Sequence, residues 1–287
     1  MLFGAHVSAA GGISKAIDRI EEVGGDAVQV FTQSPRMWKH TEHSDEELER
    51  FRARRREARI EHVSCHALYL VNLASRDETV RANSLSALKA TMATAHGIGA
   101  DAVIFHVGSH LGYGYDEALE IVVPALRELL ELTTDELWLC MENAAGTGGT
   151  IGRTVAELAT LSDAVGAHPR LGICVDSCHW WASGVDVSDP DAFGAAIDDL
   201  DARMGLERLR VLHVNDSKTP LCSNRDRHEL VGKGLIGDGL ATFLGHPAFQ
   251  SLPAIVETWV DEGSETEDLD RMRALRRKGR RRWQRRA

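Results

Sequence analysis

The sequence predicts a single (β/α)8 barrel, an α/β fold in which eight parallel strands alternate with helices. Short apolar runs typical of buried strands alternate with segments of helical spacing over about 250 residues, the usual extent of such a barrel. Most of these runs also end in His, Asp or Glu. A charged side chain at the end of a buried strand is costly unless a metal ion or a partner satisfies it. We therefore expect the strand ends to converge on one polar mouth.

The first half of the chain contains four strand–helix pairs. Ser44, with Glu47 three residues later, predicts the capped start of the second helix, and Gly97 and Gly99 predict the end of the third. The four predicted pairs are residues 3–8 with 13–23, 27–32 with 44–59, 61–67 with 79–96, and 102–107 with 115–132.

The same alternation continues to the last predicted helix. The remaining predicted strands are residues 137–142, 171–179, 209–214 and 254–258, with helices at 154–165, 191–204 and near 239–244. An open doubly wound sheet is the competing architecture, but the Ala-Ala-Gly-Gly segment after the first strand lacks the G-x-G-x-x-G pattern of a nucleotide loop. No linker divides the chain, so we expect one domain over residues 1–270 and a basic segment over 271–287.

Composition limits the class of protein. With 43% hydrophobic residues the chain can bury one large core. It has no apolar run of membrane-spanning length and no signal-peptide pattern, so we expect a soluble, cytoplasmic protein that does not bind membranes. The five cysteines are an odd number and lie mostly in strand-like runs, which is typical of buried, reduced thiols.

Charge is distributed unevenly along the chain. Residues 271–287 contain ten of the 33 Lys and Arg side chains and no acidic residue, so residues 1–270 carry 23 basic against 43 acidic side chains. An acidic surface with few lysines suggests a protein that stays soluble at high salt.

Nine metal-binding side chains are expected at the mouth of the barrel, because the carboxyl ends of all strands meet there. Seven come from strand ends and two from an Asp-x-His pair in the loop after the seventh strand. They are His66, His106, Glu142, Asp176, His179, His213 and Glu257, together with Asp226 and His228. Nine groups exceed the three or four ligands of one zinc site, but two or three ions could share them if Glu142 bridges.

The ligand types indicate the chemistry. Mixed imidazole and carboxylate ligands favour zinc or manganese over magnesium. Clustered ions of this kind hydrolyse phosphate esters, because they neutralise the phosphate and lower the pKa of bound water. A single strand-end His is more often a packed core residue, but seven strand-end groups in register are not explained that way. For His6 and His110 we favour structural roles over support of the metal ligands or contact with phosphate. We expect the other histidines at the surface: His40, His43, His62, His96, His168 and His246.

Seven short motifs are spread between Gly4 and Thr258. They are Gly4-Ala-His-Val-Ser-Ala-Ala-Gly-Gly12, Phe105-His-Val-Gly-Ser-His110, Met141-Glu-Asn-Ala-Ala-Gly146, Val175-Asp-Ser-Cys-His179, Leu212-His-Val-Asn-Asp-Ser-Lys218, Asp226-Arg-His228 and Val256-Glu-Thr258. Together they resemble the endonuclease IV family of apurinic/apyrimidinic (AP) endonucleases over nearly the whole chain.

The resemblance implies a TIM barrel that holds three metal ions, usually zinc, with manganese as the alternative at one or more sites. It assigns a role to each of the nine side chains, with Glu142 as the bridging and catalytic carboxylate. The implied groups are His66, His106 and Glu142 for the first ion, Glu142, Asp176, His213 and Glu257 for the second, and His179, Asp226 and His228 for the third.

The activity that the resemblance implies is DNA repair on double-stranded DNA. A metal-activated hydroxide would hydrolyse the phosphodiester 5′ to an abasic site, leaving a 3′-hydroxyl and a 5′-deoxyribose phosphate. Family members also trim blocked 3′ ends. Arg36 and Tyr69 are implied to enter the minor groove at the lesion. The segment after His66 reads Ala-Leu-Tyr, where the family often has a polar residue or proline. We expect a monomer.

Several alternatives stay open. The basic segment 271–287 is either a frayed or disordered helix end or a sequence-independent contact to DNA phosphates. A metal-dependent sugar isomerase or epimerase would need only one or two ions, so Asp226 and His228 argue for the nuclease. A catalytically inactive lesion-binding protein is the third possibility, but no ligand is missing from the chain.

Overall fold

Eight parallel strands close into a barrel in the structure, a computed structural model that describes residues 1–258 and 264–286. The barrel strands are β1 (Leu2–His6), β2 (Ala27–Phe31), β3 (His62–His66), β4 (Ala102–Phe105), β5 (Trp138–Glu142), β6 (Leu171–Asp176), β7 (Leu209–His213) and β10 (Pro253–Val256), and β8 (Asp216–Ser217) with β9 (His228–Glu229) forms a separate antiparallel pair. Around the barrel the order is β1-β10-β7-β6-β5-β4-β3-β2, closed by pairing of β1 with both β2 and β10. The predicted (β/α)8 barrel is confirmed.

Helices follow the strands as predicted, with one exception. They are α1 (Lys15–Glu22), α2 (Asp45–Ala58), α3 (Glu78–Ile98), α4 (Tyr115–Leu130), α5 (Val155–Ala164), α6 (Ser177–Ser183), α7 (Pro190–Met204), α8 (Leu240–Gly245) and α9 (Ser264–Gln284). The Ser44 side chain caps α2 by accepting a hydrogen bond from the Glu47 N–H. The exception is His179, which lies in the first turn of α6 because β6 ends at Asp176.

The core consists mainly of apolar side chains packed between the strands and the surrounding helices. A smaller apolar cluster that includes Cys140 and Cys174 lies apart from it. All five cysteines are free, and only Cys222 is exposed. Burial raises the pKa of the Cys140 thiol to about 12, so it stays protonated. No helix in the described parts of the chain is long and apolar enough to cross a membrane.

Two histidines expected at the surface are packed instead. His62 is buried on β3, where its Nε2 contacts Ser64 Oγ at 2.7 Å. His246 packs edge-on against Trp283, with ring centroids 4.6 Å apart. Burial lowers the pKa of both imidazoles to about 4, so both are neutral at physiological pH. The surface prediction fails for His246 because the rings of Phe193 and Trp283, distant in sequence, pack against it. It fails for His62 because every side chain of β3 is buried.

The basic segment is helical over residues 271–284 as part of α9, so the expectation of a frayed or disordered end is wrong for these residues. Gly279 packs against the backbone of α8 at Ala241 and Gly245. Trp283 Nε1 donates to the Thr242 carbonyl at 2.8 Å. Ala287 lies outside the described residues. The last helix is therefore held to the barrel by close helix–helix contact.

The Gly279 contact can be tested by one methyl group. A Cβ at this position would lie 1.7 Å from the Ala241 carbonyl oxygen and 2.8 Å from the Gly245 Cα. Gly279→Ala should therefore destabilise the fold by about 1–3 kcal/mol, although alanine is the better helix former. Thermal unfolding followed by circular dichroism measures the effect.

The matched control is Gly194→Ala in α7. A Cβ there would meet only Trp283, at 3.7 Å, which is ordinary van der Waals contact. This substitution should leave stability unchanged or raise it by up to about 1 kcal/mol. If both variants melt at the same temperature, the α8–α9 contact is not as close as described.

Candidate metal centre

The nine predicted ligands meet at the carboxyl end of the barrel. Parallel pairing places Asp176 on β6 directly beside His213 on β7, and Glu142 ends the neighbouring β5. The strand-end side chains are buried, whereas His106 and His228 are half-buried and Asp226 is half-exposed on its loop. A cavity of about 310 Å³ opens over them. The other residues lining this cavity are Tyr69, Lys218 and Thr258.

Glu142 occupies the centre of this group and is only 1% exposed. Its Oε2 lies 3.1 Å from His66 Nε2 and 3.4 Å from His106 Nε2. Its Oε1 lies 3.0 Å from His213 Nδ1 and 3.2 Å from His179 Nδ1. One oxygen of this carboxylate thus faces the ring nitrogens of His66 and His106 and the other faces that of His213, so Glu142 could be shared by two metal positions.

Two of the three ligand groups implied by the resemblance are separate clusters in the structure. In each, the potential ligand atoms lie within 4.8 Å of one another: Glu142, Asp176, His213 and Glu257 in one, and His179, Asp226 and His228 in the other. The remaining group is divided, because His66 clusters with Glu142 and His213 whereas His106 clusters with Glu142 and His179. These two histidines are joined through the Glu142 Oε2 that both approach.

Hydrogen bonds orient the imidazole rings. His66 Nδ1 donates to the Ala67 carbonyl at 2.7 Å, and His179 Nδ1 donates to the Asn143 carbonyl at 3.0 Å. His213 Nε2 donates to Gln29 Oε1 at 2.9 Å. Each ring is thereby fixed with its other nitrogen available to the cluster, as is usual for histidines that bind metals.

Unsatisfied buried atoms provide the test of whether metal ions fit. The Nε2 atoms of His179 and His228 are buried and lack a hydrogen-bond partner, yet they lie 3.3 and 3.0 Å from oxygens of Asp226. Buried polar atoms are rarely left unpaired. Two such nitrogens beside one carboxylate form a donor set suited to a divalent ion of the zinc type. The residues present therefore fit the metals that the sequence suggests.

Electrostatics within the cluster lead to the same conclusion. Burial raises the pKa of Glu142, but the imidazoles of His106 and His213 outweigh it and hold this pKa well below its usual range. Burial lowers the pKa of His213, but the carboxylates of Glu257 and Glu142 more than offset it and raise this pKa to about 9. The buried carboxylates thus require nearby positive charge, which protonated imidazoles supply in the metal-free protein. Metal binding would displace those protons, because histidine ligates in its neutral form.

Four residues that support the cluster were missed or misjudged from the sequence. Asn215 Nδ2 donates to Asp176 Oδ2 at 2.6 Å and to Glu257 Oε2 at 3.2 Å, and Gln29 Nε2 donates to Glu257 Oε1 at 2.7 Å. His6, expected to be structural, lies with its Nδ1 3.5 Å from Glu257 Oε1. The fourth is Asn143, whose carbonyl holds His179. A polar residue within an apolar strand run, or next to a strand-end ligand, was the available signal.

The two residues expected to contact DNA lie beside the cluster. Arg36 is exposed in the loop after β2, and Tyr69 is 56% exposed in the loop after β3. The Tyr69 N–H donates to the Pro35 carbonyl at 3.2 Å, which joins the two loops. Both side chains line a cavity of about 650 Å³, and Tyr69 also lines the cavity over the metal ligands. Both side chains therefore lie at the open mouth of the barrel, next to the metal ligands.

Comparison with known proteins assigns the chain to a family. It matches the family model described as "Xylose isomerase-like TIM barrel" over residues 17–278. It is 34% identical over 278 residues to "Probable endonuclease 4" of Halothermothrix orenii, which covers 96% of this chain and 100% of the relative. The crystal structure of endonuclease IV from Thermus thermophilus matches with a TM-score of 0.86 at 33% identity, covering 97% of this chain and 100% of the other. The chain belongs to the endonuclease IV family.

Membership in the endonuclease IV family confirms the resemblance and identifies a metal-dependent endodeoxyribonuclease. The sugar-converting alternative shares only the architecture. A D-tagatose 3-epimerase-like protein matches 97% of the chain with a TM-score of 0.70, but at 18% identity this likeness shows the fold alone.

Asn215 offers a test of how the ligands of this endonuclease IV family member are held. Asn215→Ala removes both hydrogen bonds that orient Asp176 and Glu257. Loss of such an outer hydrogen bond typically weakens metal affinity about 10–100-fold. Zinc titration of the metal-free protein, with metal content per chain measured by mass spectrometry, should show this loss. Asn83→Ala in α3, away from the cluster, is the control and should bind zinc as the unsubstituted protein does. If the Asn215→Ala and Asn83→Ala proteins bind zinc with equal affinity, Asn215 does not orient the metal ligands.

Proposed function

We propose that the chain incises double-stranded DNA on the 5′ side of abasic sites, leaving a 3′-hydroxyl and a 5′-deoxyribose phosphate, and that it also trims blocked 3′ ends. The observation that carries this proposal is the position of Glu142, whose two oxygens each approach a separate pair of imidazoles. Family membership supports the reaction class, because the relatives are named endonucleases.

Three zinc ions are proposed as the cofactors, with manganese as an alternative occupant. The proposed ligands are His66, His106 and Glu142 at the first position, Glu142, Asp176, His213 and Glu257 at the second, and His179, Asp226 and His228 at the third. When bound, such ions neutralise a phosphodiester and make hydroxide available at neutral pH. The cluster of Glu142, Asp176, His213 and Glu257 supports the second position, and the cluster of His179, Asp226 and His228 supports the third.

The protein's own residues pre-organise the site. Asp176 and His213 are fully buried, so a phosphate can approach the cluster only from the open mouth. Asn215 and Gln29 fix the carboxylate oxygens before substrate arrives, which avoids reorganisation during the reaction. Lys218 lines the same cavity with a half-exposed side chain whose Nζ lies 4.0 Å from Glu229 Oε2, and we propose that its ammonium group contacts a phosphate oxygen.

Recognition of the lesion is proposed for Arg36 and Tyr69. A planar guanidinium and an aromatic ring can each occupy the space that a missing base leaves in the stack. The Tyr69 ring packs edge-on against Phe31 with centroids 5.2 Å apart, so the tyrosine is held in place while more than half of it stays exposed. We propose that the protein acts as a monomer.

The basic face of α9 is proposed to contact DNA phosphates. Arg277 and Arg281 in α9 and Arg285 directly after it are exposed at four-residue spacing and make no ion pair with any residue that the structure describes. Replacing all three with Gln should weaken DNA binding most at low salt and reduce the slope of log affinity against log salt by about 2–3. This test is better than deleting the segment, which would remove the packed Trp283. An unchanged salt slope in a titration of labelled duplex would reject the contact.

The incision reaction itself is tested with a duplex that carries one abasic site. The zinc-loaded protein should nick the strand 5′ to the lesion, and Glu142→Ala should lose at least about a thousandfold in rate, because metal positions that share this carboxylate are disrupted. Single-turnover assays resolved on denaturing gels measure the rate, and the end groups are identified by mass spectrometry.

Glu136→Ala is the matched control, because Glu136 is an exposed glutamate just before β5. The Glu136→Ala protein should incise the duplex at the rate of the unsubstituted protein.

The metal content of the protein distinguishes the alternative functions. About three ions per chain are expected, whereas one or two ions and an intact duplex would direct attention to sugar isomerisation. Normal lesion binding without incision by the zinc-loaded protein would support a lesion-binding role instead.

A further inference from the structure

The mouth of the barrel has an apolar rim. Within residues 1–258 and 264–286, five large hydrophobic side chains are exposed: Met37, Tyr69, Leu111, Leu132 and Leu235. Three of them lie in loops that directly follow β2, β3 and β4. The Leu235 N–H donates to the Ser217 carbonyl, close to the end of β7. Only Leu132 lies at the other end of the barrel, between α4 and β5. Exposed apolar side chains are thus concentrated around the metal cluster.

Leu111 is the most exposed of the five, at 74%. Its backbone has a φ of 49°, in the left-handed region that bulky side chains rarely adopt. Such a conformation costs free energy and persists only where the surrounding structure enforces it. A leucine here gains nothing from core burial, and glycine would fit the backbone without strain. The fold alone therefore gives no reason for leucine at this position.

Several hydrogen bonds hold the Leu111 loop in this shape. Ser109 Oγ accepts from the Leu111 N–H at 3.0 Å, and His110 Nδ1 accepts from the Gly112 N–H at 3.1 Å. The loop is also tied to its neighbours, because the His110 N–H donates to the Gly149 carbonyl at 3.1 Å and the Ser109 N–H to Asn72 Oδ1 at 3.0 Å. The leucine is therefore presented on a fixed support.

This support adjoins the metal cluster. Ser109 lines a cavity of about 330 Å³ together with His106, His179 and Asp226, and Tyr69 borders the same cavity. A substrate strand that reaches the metal ligands would pass next to the Leu111 loop. The chain carries a net charge of −10, so its overall charge opposes binding of a polyanion such as DNA. Apolar contacts add binding free energy that does not depend on charge.

We propose that Leu111 is an apolar contact for duplex DNA at the lesion, packing against sugars and unstacked bases next to the missing base. This inference rests on the proposed incision of abasic DNA. Leu111 lies outside the set of metal ligands and outside the loops that hold Arg36 and Tyr69.

The experiment compares Leu111→Ala with Leu132→Ala, which removes an exposed leucine from the opposite end of the barrel. Leu111→Ala should raise KM for the abasic duplex about tenfold, the ratio expected when one leucine side chain loses its burial. Its kcat should stay within about twofold, and it should hydrolyse bis(p-nitrophenyl) phosphate, a substrate too small to reach the rim, at the unsubstituted rate. The salt dependence of duplex binding should be unchanged, because no charge is lost.

Leu111→Gly separates binding from folding. Relief of the strained backbone should raise the melting temperature by about 2 °C, while KM for the duplex rises as in the alanine variant. If Leu111→Ala has the same KM for the abasic duplex as the unsubstituted protein, the proposed DNA contact of Leu111 is wrong. It is also wrong if Leu132→Ala raises this KM as much as Leu111→Ala does. Neither result would contradict the incision reaction. A zinc-loaded protein that leaves the abasic duplex intact would overturn the proposed function, and this contact with it.

Discussion

The rest of the structure depends on one buried carboxylate. Glu142 is almost completely removed from water, and an unpaired carboxylate in such a place would cost several kcal/mol. Four imidazoles approach its two oxygens, and those of His106, His213 and His179 hold its pKa well below the usual range, so the charge is kept rather than neutralised by a proton. Burial alone would lower the pKa of His179 and His213, but the surrounding carboxylates raise both and keep these two imidazoles charged in the absence of metal. The carboxylates and imidazoles of the cluster therefore stabilise one another by compensating each other's charge.

The closed parallel barrel brings together ligand side chains that are far apart in the sequence. Strand β3 contributes His66 and strand β7 contributes His213, residues far apart in sequence whose rings lie 5.8 Å apart. Parallel strands end on the same side, so a side chain at each carboxyl end reaches the common axis. Side chains between the ligands then lock them, as Gln29 does by donating to Glu257 and accepting from His213. The barrel supplies the convergence, and these amides supply the orientation.

The sequence predicted the strand-end ligands because their placement is periodic and local: each follows an apolar run. It did not predict how they are oriented, since that depends on partners such as Asn215 and Gln29 that are identified only by three-dimensional proximity. His179 was placed on a strand, whereas the Asp176 side chain accepts from its N–H and starts α6 there. A final helix was expected, but the packing of residues 271–284 within α9 was missed because the contact of Gly279 with α8 has no local sequence signal. Leu111 was missed because a single exposed leucine is ordinary until its backbone angle is known.

Charge links the centre to the choice of substrate. The chain is acidic overall, and the mouth itself concentrates the carboxylates of Glu142, Asp176, Asp226 and Glu257. In the metal-free state this region would repel a phosphate backbone, apart from the partial compensation that protonated His213 and His228 provide. Divalent ions at the proposed positions would outweigh the four carboxylates and reverse the local potential, which then attracts DNA to the mouth. Metal loading would thus act twice, first by creating the attraction for the substrate and then by supplying the chemistry, and the surrounding acidic surface would confine that attraction to the mouth of the barrel.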